Sequence, residues 1–93
     1  MQPNGYIGSM KPILYDKAAA KTLARMQRQV AQRIREKIDQ WVADPAALDR
    51  NVTEMKGRPG VVRLRVGDHR VLIRETEAEV QILDIGPRGG IYD

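Results

Sequence analysis

Residues 61–75 read VVRLRVGDHRVLIRE, and the fold follows from them. In an extended chain Val62, Leu64 and Val66 face one way and Arg63 and Arg65 the other. Gly67-Asp68 then fits a two-residue turn, although Asp-Gly is the more favoured order. Residues 69–75 resume the alternation, with His69, Val71 and Ile73 opposing Arg70, Leu72 and Arg74. Residues 76–78 form a second turn and residues 79–85 a last strand. The result is a meander with an apolar side, which needs cover, and a cationic side.

The cover lies in the N-terminal half. Residues 11–15 (KPILY) read as a short strand that Pro12 confines to an edge or to the strand's first position. Asp16 follows as a helix N-cap. The alanine-rich KAAAKTLARM sets Ala19, Leu23 and Met26 on one helical face, and Val30, Ile34, Ile38, Trp41 and Val42 continue the period until Asp44-Pro45. An unbroken helix through both segments would span about 40 Å. A hairpin breaking near Gln27 suits a small domain better, although no Gly or Pro stands there. Residues 45–60, punctuated by Gly57, Pro59 and Gly60, read as a linker. These elements predict an α+β fold: an N-terminal strand and a two-helix hairpin packed on a mostly antiparallel four-stranded sheet. Residues 1–9 are expected to form a mobile arm, with Met10 as an alternative start, and residues 10–93 a single domain.

Ninety-three residues allow one core, and 42% apolar content supports it. No apolar run approaches the ~18 residues of a membrane span, and no secretory signal is visible, so a cytoplasmic protein without a membrane partner is expected. With no Cys and one His, thiolate chemistry and His-rich or Cys-based metal sites are excluded, and no cofactor is implied. Ser9 is the only serine, so a Ser-His-Asp triad is excluded in practice.

Sixteen Lys and Arg stand against twelve Asp and Glu, a net charge of +4. Lys56, Arg58, Arg63, Arg65, Arg70 and Arg74 oppose only Asp68 within residues 56–74, a local excess of five. Alternation gathers Arg63, Arg65, Arg70 and Arg74 on the side away from the helices. The plainer reading is a solvated sheet face. Like charges directly across a sheet repel by tenths of a kcal/mol, however, and a bound polyanion would relieve them. Arg88 and Tyr92 in the Gly-rich tail GPRGGIYD offer a further cation and a ring that can stack on a base. An imidazole can act as acid or base, but alternation puts His69 on the Val71 side, where packing is the simpler role.

The Lys56-Gly57-Arg58-Pro59 step, the hairpin RLRVGDHRVLI (residues 63–73) and the ending IGPRGGIY (residues 85–92) resemble the RelE/ParE superfamily of type II toxin–antitoxin toxins, over residues 11–93. RelE-type members are ribosome-dependent endoribonucleases that cut mRNA in the A site, whereas ParE-type members poison DNA gyrase. The resemblance implies a RelE-like fold. It also implies catalytic residues at Arg63, Arg65, Arg70, Arg88 and Tyr92, with Lys56, Arg58 and Arg74 as further RNA contacts. The reaction it implies is metal-free attack of a 2′-hydroxyl on the adjacent phosphate. The partners it implies are a cognate antitoxin, mRNA and the ribosome, with DNA reached only through the antitoxin; a heterotetramer is among the assemblies it allows. This sequence departs from the best-known RelE pattern in carrying arginines where lysines form the strand pair. Arginine stays protonated, so neither Arg63 nor Arg65 is a general base. Tyr92 and His69 remain candidates, and the ribosome is another source. A ParE-like gyrase inhibitor and a catalytically degenerate binding module are the alternatives.

Overall fold

The computed structural model describes residues 11–87. The elements are β1 (Ile13–Tyr15), α1 (Lys17–Arg25), α2 (Arg28–Ala43), a 3-10 helix (Pro45–Asn51), β2 (Val52–Glu54), β3 (Val61–Val66), β4 (His69–Glu75) and β5 (Val80–Pro87). They form one sheet of order β1-β5-β4-β3-β2, antiparallel except where β1 runs parallel to β5. The α+β architecture and the helical hairpin are as the sequence predicts, and β1 occupies an edge, one of the two places open to it, with Pro12 just before its first residue. The strand count is corrected from four to five. The added strand, β2, lies in the stretch read as a linker, pairs antiparallel with β3 and forms the other edge.

The helices break at Met26 and Gln27, whose ψ values of 159° and 142° are extended, so the chain reverses without Gly or Pro. What selects the break is burial. Ala19 and Leu23 of α1, and Ala31, Ile34, Ile38, Trp41 and Val42 of α2, all reach the same core. They meet Leu64 and Val66 of β3, Val71 and Ile73 of β4, and Val80, Ile82 and Ile85 of β5. A straight helix could not lay both apolar stripes on one small sheet face. Asp16 holds the N-cap position of α1, although its side chain makes no capping hydrogen bond.

The β3–β4 turn is the predicted Gly67-Asp68, and Gly67 adopts φ +58°, the left-handed conformation that primed hairpin turns require at their first position. At the opposite end, residues 55–60 form a compact loop closed by Met55 N–H donating to Val61 O (3.0 Å) and Val61 N–H to Arg58 O (3.0 Å). The 3-10 helix is pinned by Leu48, which is buried in the main core. That anchor fixes the path of Arg50 and Asn51 to the β2 edge.

Candidate anion-binding site

The register decides which cations meet. Arg65 pairs directly with Arg70 across β3 and β4, Arg63 with Leu72, and Val61 with Arg74. Since paired residues share a sheet face, Arg63, Arg65, Arg70 and Arg74 all lie on the side away from the helices, as alternation predicts. On β5 the partners of Arg70 and Leu72 are Gly86 and Asp84, with an irregularity between Leu72 and Ile73. The face is not a uniform cationic plane. Val61 and Leu72 on it are 2% and 1% exposed and stand apart from the main core cluster.

Arg63, Arg65 and Arg70 line one pocket of about 170 Å³, together with Arg50, Asn51 and Thr53. Four guanidinium groups and two neutral hydrogen-bonding side chains therefore converge at the β2–β3–β4 end of the sheet. Asn51 Nδ2 also donates to the Arg65 backbone carbonyl at 3.5 Å, tying the wall to the strand. Arg65 is exposed, Arg63 and Arg70 are half-buried, and Arg70 Nε is closed off from solvent. Such a set can neutralise and orient an anion through bidentate contacts. It offers no proton acceptor of ordinary basicity, because every charged group in it is a guanidinium.

Other expected residues lie elsewhere. Arg74 shares the arginine face but pairs with Val61, four residues or about 13 Å along the strand from Arg65. Lys56 and Arg58 sit in the loop at that same far end, where Arg58 lines a separate pocket of about 240 Å³ with Trp41, Glu54, Met55 and Glu75. Lys56, Arg58 and Arg74, expected as further RNA contacts, thus lie outside this pocket. His69 is also set apart. It pairs with Val66 and lines a crevice with Val30, Arg33 and Ile34 of α2, on the helix-facing side. The one-residue offset from Arg70 is the cause, since successive strand residues point to opposite faces. Arg88 and Tyr92 fall outside the described residues, as does the expected arm of residues 1–9.

Arg50, Asn51 and Thr53 are absent from the sequence reading because residues 45–60 read as linker. A usable signal was present: β-branched Val52-Thr53, followed by the Gly57-Arg58-Pro59-Gly60 step and the VVRLRV strand, has the grammar of one more hairpin. Among the described residues no group of three or more His, Asp and Glu is placed to hold a metal ion. No helix among them is long and apolar enough to cross a membrane.

The fold is shared with solved toxin structures. The chain superposes on the archaeal RelE–RelB complex from Pyrococcus horikoshii OT3 with a TM-score of 0.72 and 24% identity, covering 86% of this chain and 97% of that one. For the intact E. coli RelBE complex the values are 0.70 and 15%, over 84% and 96%. For the chromosomal ParDE system of P. aeruginosa they are 0.66 and 18%, over 87% and 99%. No curated protein matches the sequence. The family match is to the ParE toxin of the type II toxin–antitoxin system parDE and runs through residues 13–92, from the first residue of β1 onward. The chain therefore belongs to the ParE toxin family, within the RelE/ParE superfamily of type II toxin–antitoxin toxins.

Proposed function

We propose that the chain is a ribosome-dependent endoribonuclease, the toxin of a pair with a cognate antitoxin, acting on mRNA in the ribosomal A site of the cytoplasm. The observation that carries this reading is the convergence of Arg63, Arg65 and Arg70 from two strands in one polar pocket. In the proposed reaction the 2′-oxygen forms a bond to the neighbouring phosphorus and the bond to the 5′-oxygen breaks. A 2′,3′-cyclic phosphate and a 5′-hydroxyl result. The 2′-hydroxyl proton passes to a base and the leaving oxygen takes up a proton. The arginines hold the phosphate and stabilise the charge that builds on its oxygens, each worth about 2.7–4 kcal/mol if it resembles an oxyanion-hole donor. Arg88 and Tyr92 join them in this reading, with Tyr92 stacking on the base or moving a proton. His69, across the sheet, is not the group that serves the phosphate. The base is then Tyr92 or a group supplied by the ribosome, which accounts for ribosome dependence.

A second reading, a DNA gyrase inhibitor, is favoured by the ParE description of the matched family. Primer extension on mRNA in a translating ribosome complex separates the two. Codon-phased A-site cuts that disappear in Arg65→Ala and Arg70→Ala are expected. Intact mRNA together with accumulating gyrase–DNA cleavage complexes would replace the first reading by the second. The antitoxins named in the RelBE and ParDE structures support a cognate antitoxin here. Such a partner would silence the toxin by covering the arginine face and folding as it binds.

A further inference from the structure

Three of the six residues lining the arginine pocket come from the 3-10 helix and the β2 edge: Arg50, Asn51 and Thr53. Thr53 is the direct cross-strand neighbour of Arg63, and the β2 register carried back one residue sets Asn51 beside Arg65. The pocket therefore has two tiers. One holds Asn51, Arg65 and Arg70; the other holds Thr53 and Arg63. Tiers two residues apart on a strand are separated by about 6.6 Å. That is comparable to the separation of consecutive phosphates along one extended nucleic-acid strand. Arg50 is exposed and closes the end of the pocket beside Asn51. Among the described residues neither Arg50 nor Arg65 has a carboxylate within ion-pair distance, so these two charges are not consumed internally.

A single phosphate cannot use all of this. Arg50 and Arg65 alone present about ten N–H donors, whereas one phosphodiester has two non-bridging oxygens. We propose that the pocket grips two consecutive phosphates of one RNA strand, one at the tier of Arg65 and Arg70, where Arg50 closes the end, and the other at the tier of Arg63 and Thr53, so that Arg50 and Thr53 are binding residues on the β2 wall of the pocket. The inference rests on the RNA reading above and adds a wall to that site. Arg50 supplies charge, and the Thr53 hydroxyl supplies a neutral donor. The second phosphate fixes how the strand slides through the pocket, and so which linkage lies against the arginine pair.

The test uses the whole chain and a short 2′-O-methyl RNA, which binds but cannot be cut because its attacking hydroxyl is blocked. Affinity is measured by fluorescence anisotropy over a range of salt concentrations for the wild type, Arg50→Ala, Thr53→Val, Arg65→Ala and Lys17→Ala. Lys17 lies on α1, beyond the reach of a short probe in the pocket. Each lost phosphate contact lowers the slope of log affinity against log salt by about 0.7 for a single strand. Arg50→Ala is expected to weaken binding about tenfold and to lower the slope by that amount, as Arg65→Ala does. Thr53→Val is expected to weaken binding a few-fold without changing the slope, because no charge is removed. If Arg50→Ala and Thr53→Val both behave like Lys17→Ala while Arg65→Ala still weakens binding, the second-phosphate wall is wrong and the RNA reading stands. If Arg65→Ala also leaves binding unchanged, the RNA reading fails and takes this inference with it.

Discussion

Arg65 and Arg70 face each other directly across β3 and β4, an arrangement that costs tenths of a kcal/mol of stability in the free protein. A residue kept for stability and one kept for phosphate binding then respond oppositely to truncation. On the proposed endoribonuclease reading, Arg65→Ala is expected to leave the melting temperature unchanged or slightly raised while lowering A-site cleavage about 10²–10³-fold. Thermal melts alongside primer extension check both. Tyr15 carries a different prediction. Burial chiefly, then the neighbouring Asp39 carboxylate, raises its phenol pKa above 10.0, with Arg35 opposing. The stability this phenol contributes is fully present below pH 10.0. It is lost as pH rises from there through the folded-state value, because the unfolded chain releases the proton first. Tyr15→Phe should flatten that alkaline decline relative to wild type, as measured by urea unfolding at successive pH values.

The β3–β4 hairpin was legible because period-two alternation and a Gly-containing turn are local properties. Gly67 tests that element. Its φ of +58° is strained for an L side chain, yet an added Cβ meets nothing within 4 Å. Gly67→Val should therefore cost more than Gly67→Asn, with Gly67→Ala near 1 kcal/mol, all by backbone conformation rather than by clash. Chemical denaturation ranks the three. In α2 the stake is packing: Ile38 is 0% exposed beneath the sheet, so Ile38→Ala is expected to lose about 2–5 kcal/mol by the same measurement. β2 escaped the sequence reading for a physical reason. Three residues, two of them exposed, bury too little to leave a pattern, and the strand exists because β3 offers an edge and Leu48 anchors the approach to it.

Across the whole molecule the charge is two-sided. Besides the arginine pocket, the helices carry Lys17, Lys21, Arg25, Arg28, Arg33, Arg35 and Lys37 against Glu36 and Asp39. A large polyanion feels this field even where it makes no contact. On the proposed endoribonuclease reading, Lys21→Glu with Arg25→Glu should slow association with ribosomes at low salt and leave cleavage at saturating toxin unchanged; stopped-flow binding and end-point cleavage measure the two effects. The sequence by itself determined the α+β class, the helical hairpin, the cationic face and the kinship to toxins, because these depend on period, composition and contiguous motifs. Only the tertiary structure decided which cations share a pocket. It added Arg50, Asn51 and Thr53 from a presumed linker, left Lys56, Arg58 and Arg74 at the far end of the sheet, and put His69 across it. Proximity between strands depends on register and on how an edge is anchored, which pairwise burial fixes in three dimensions and no local pattern records.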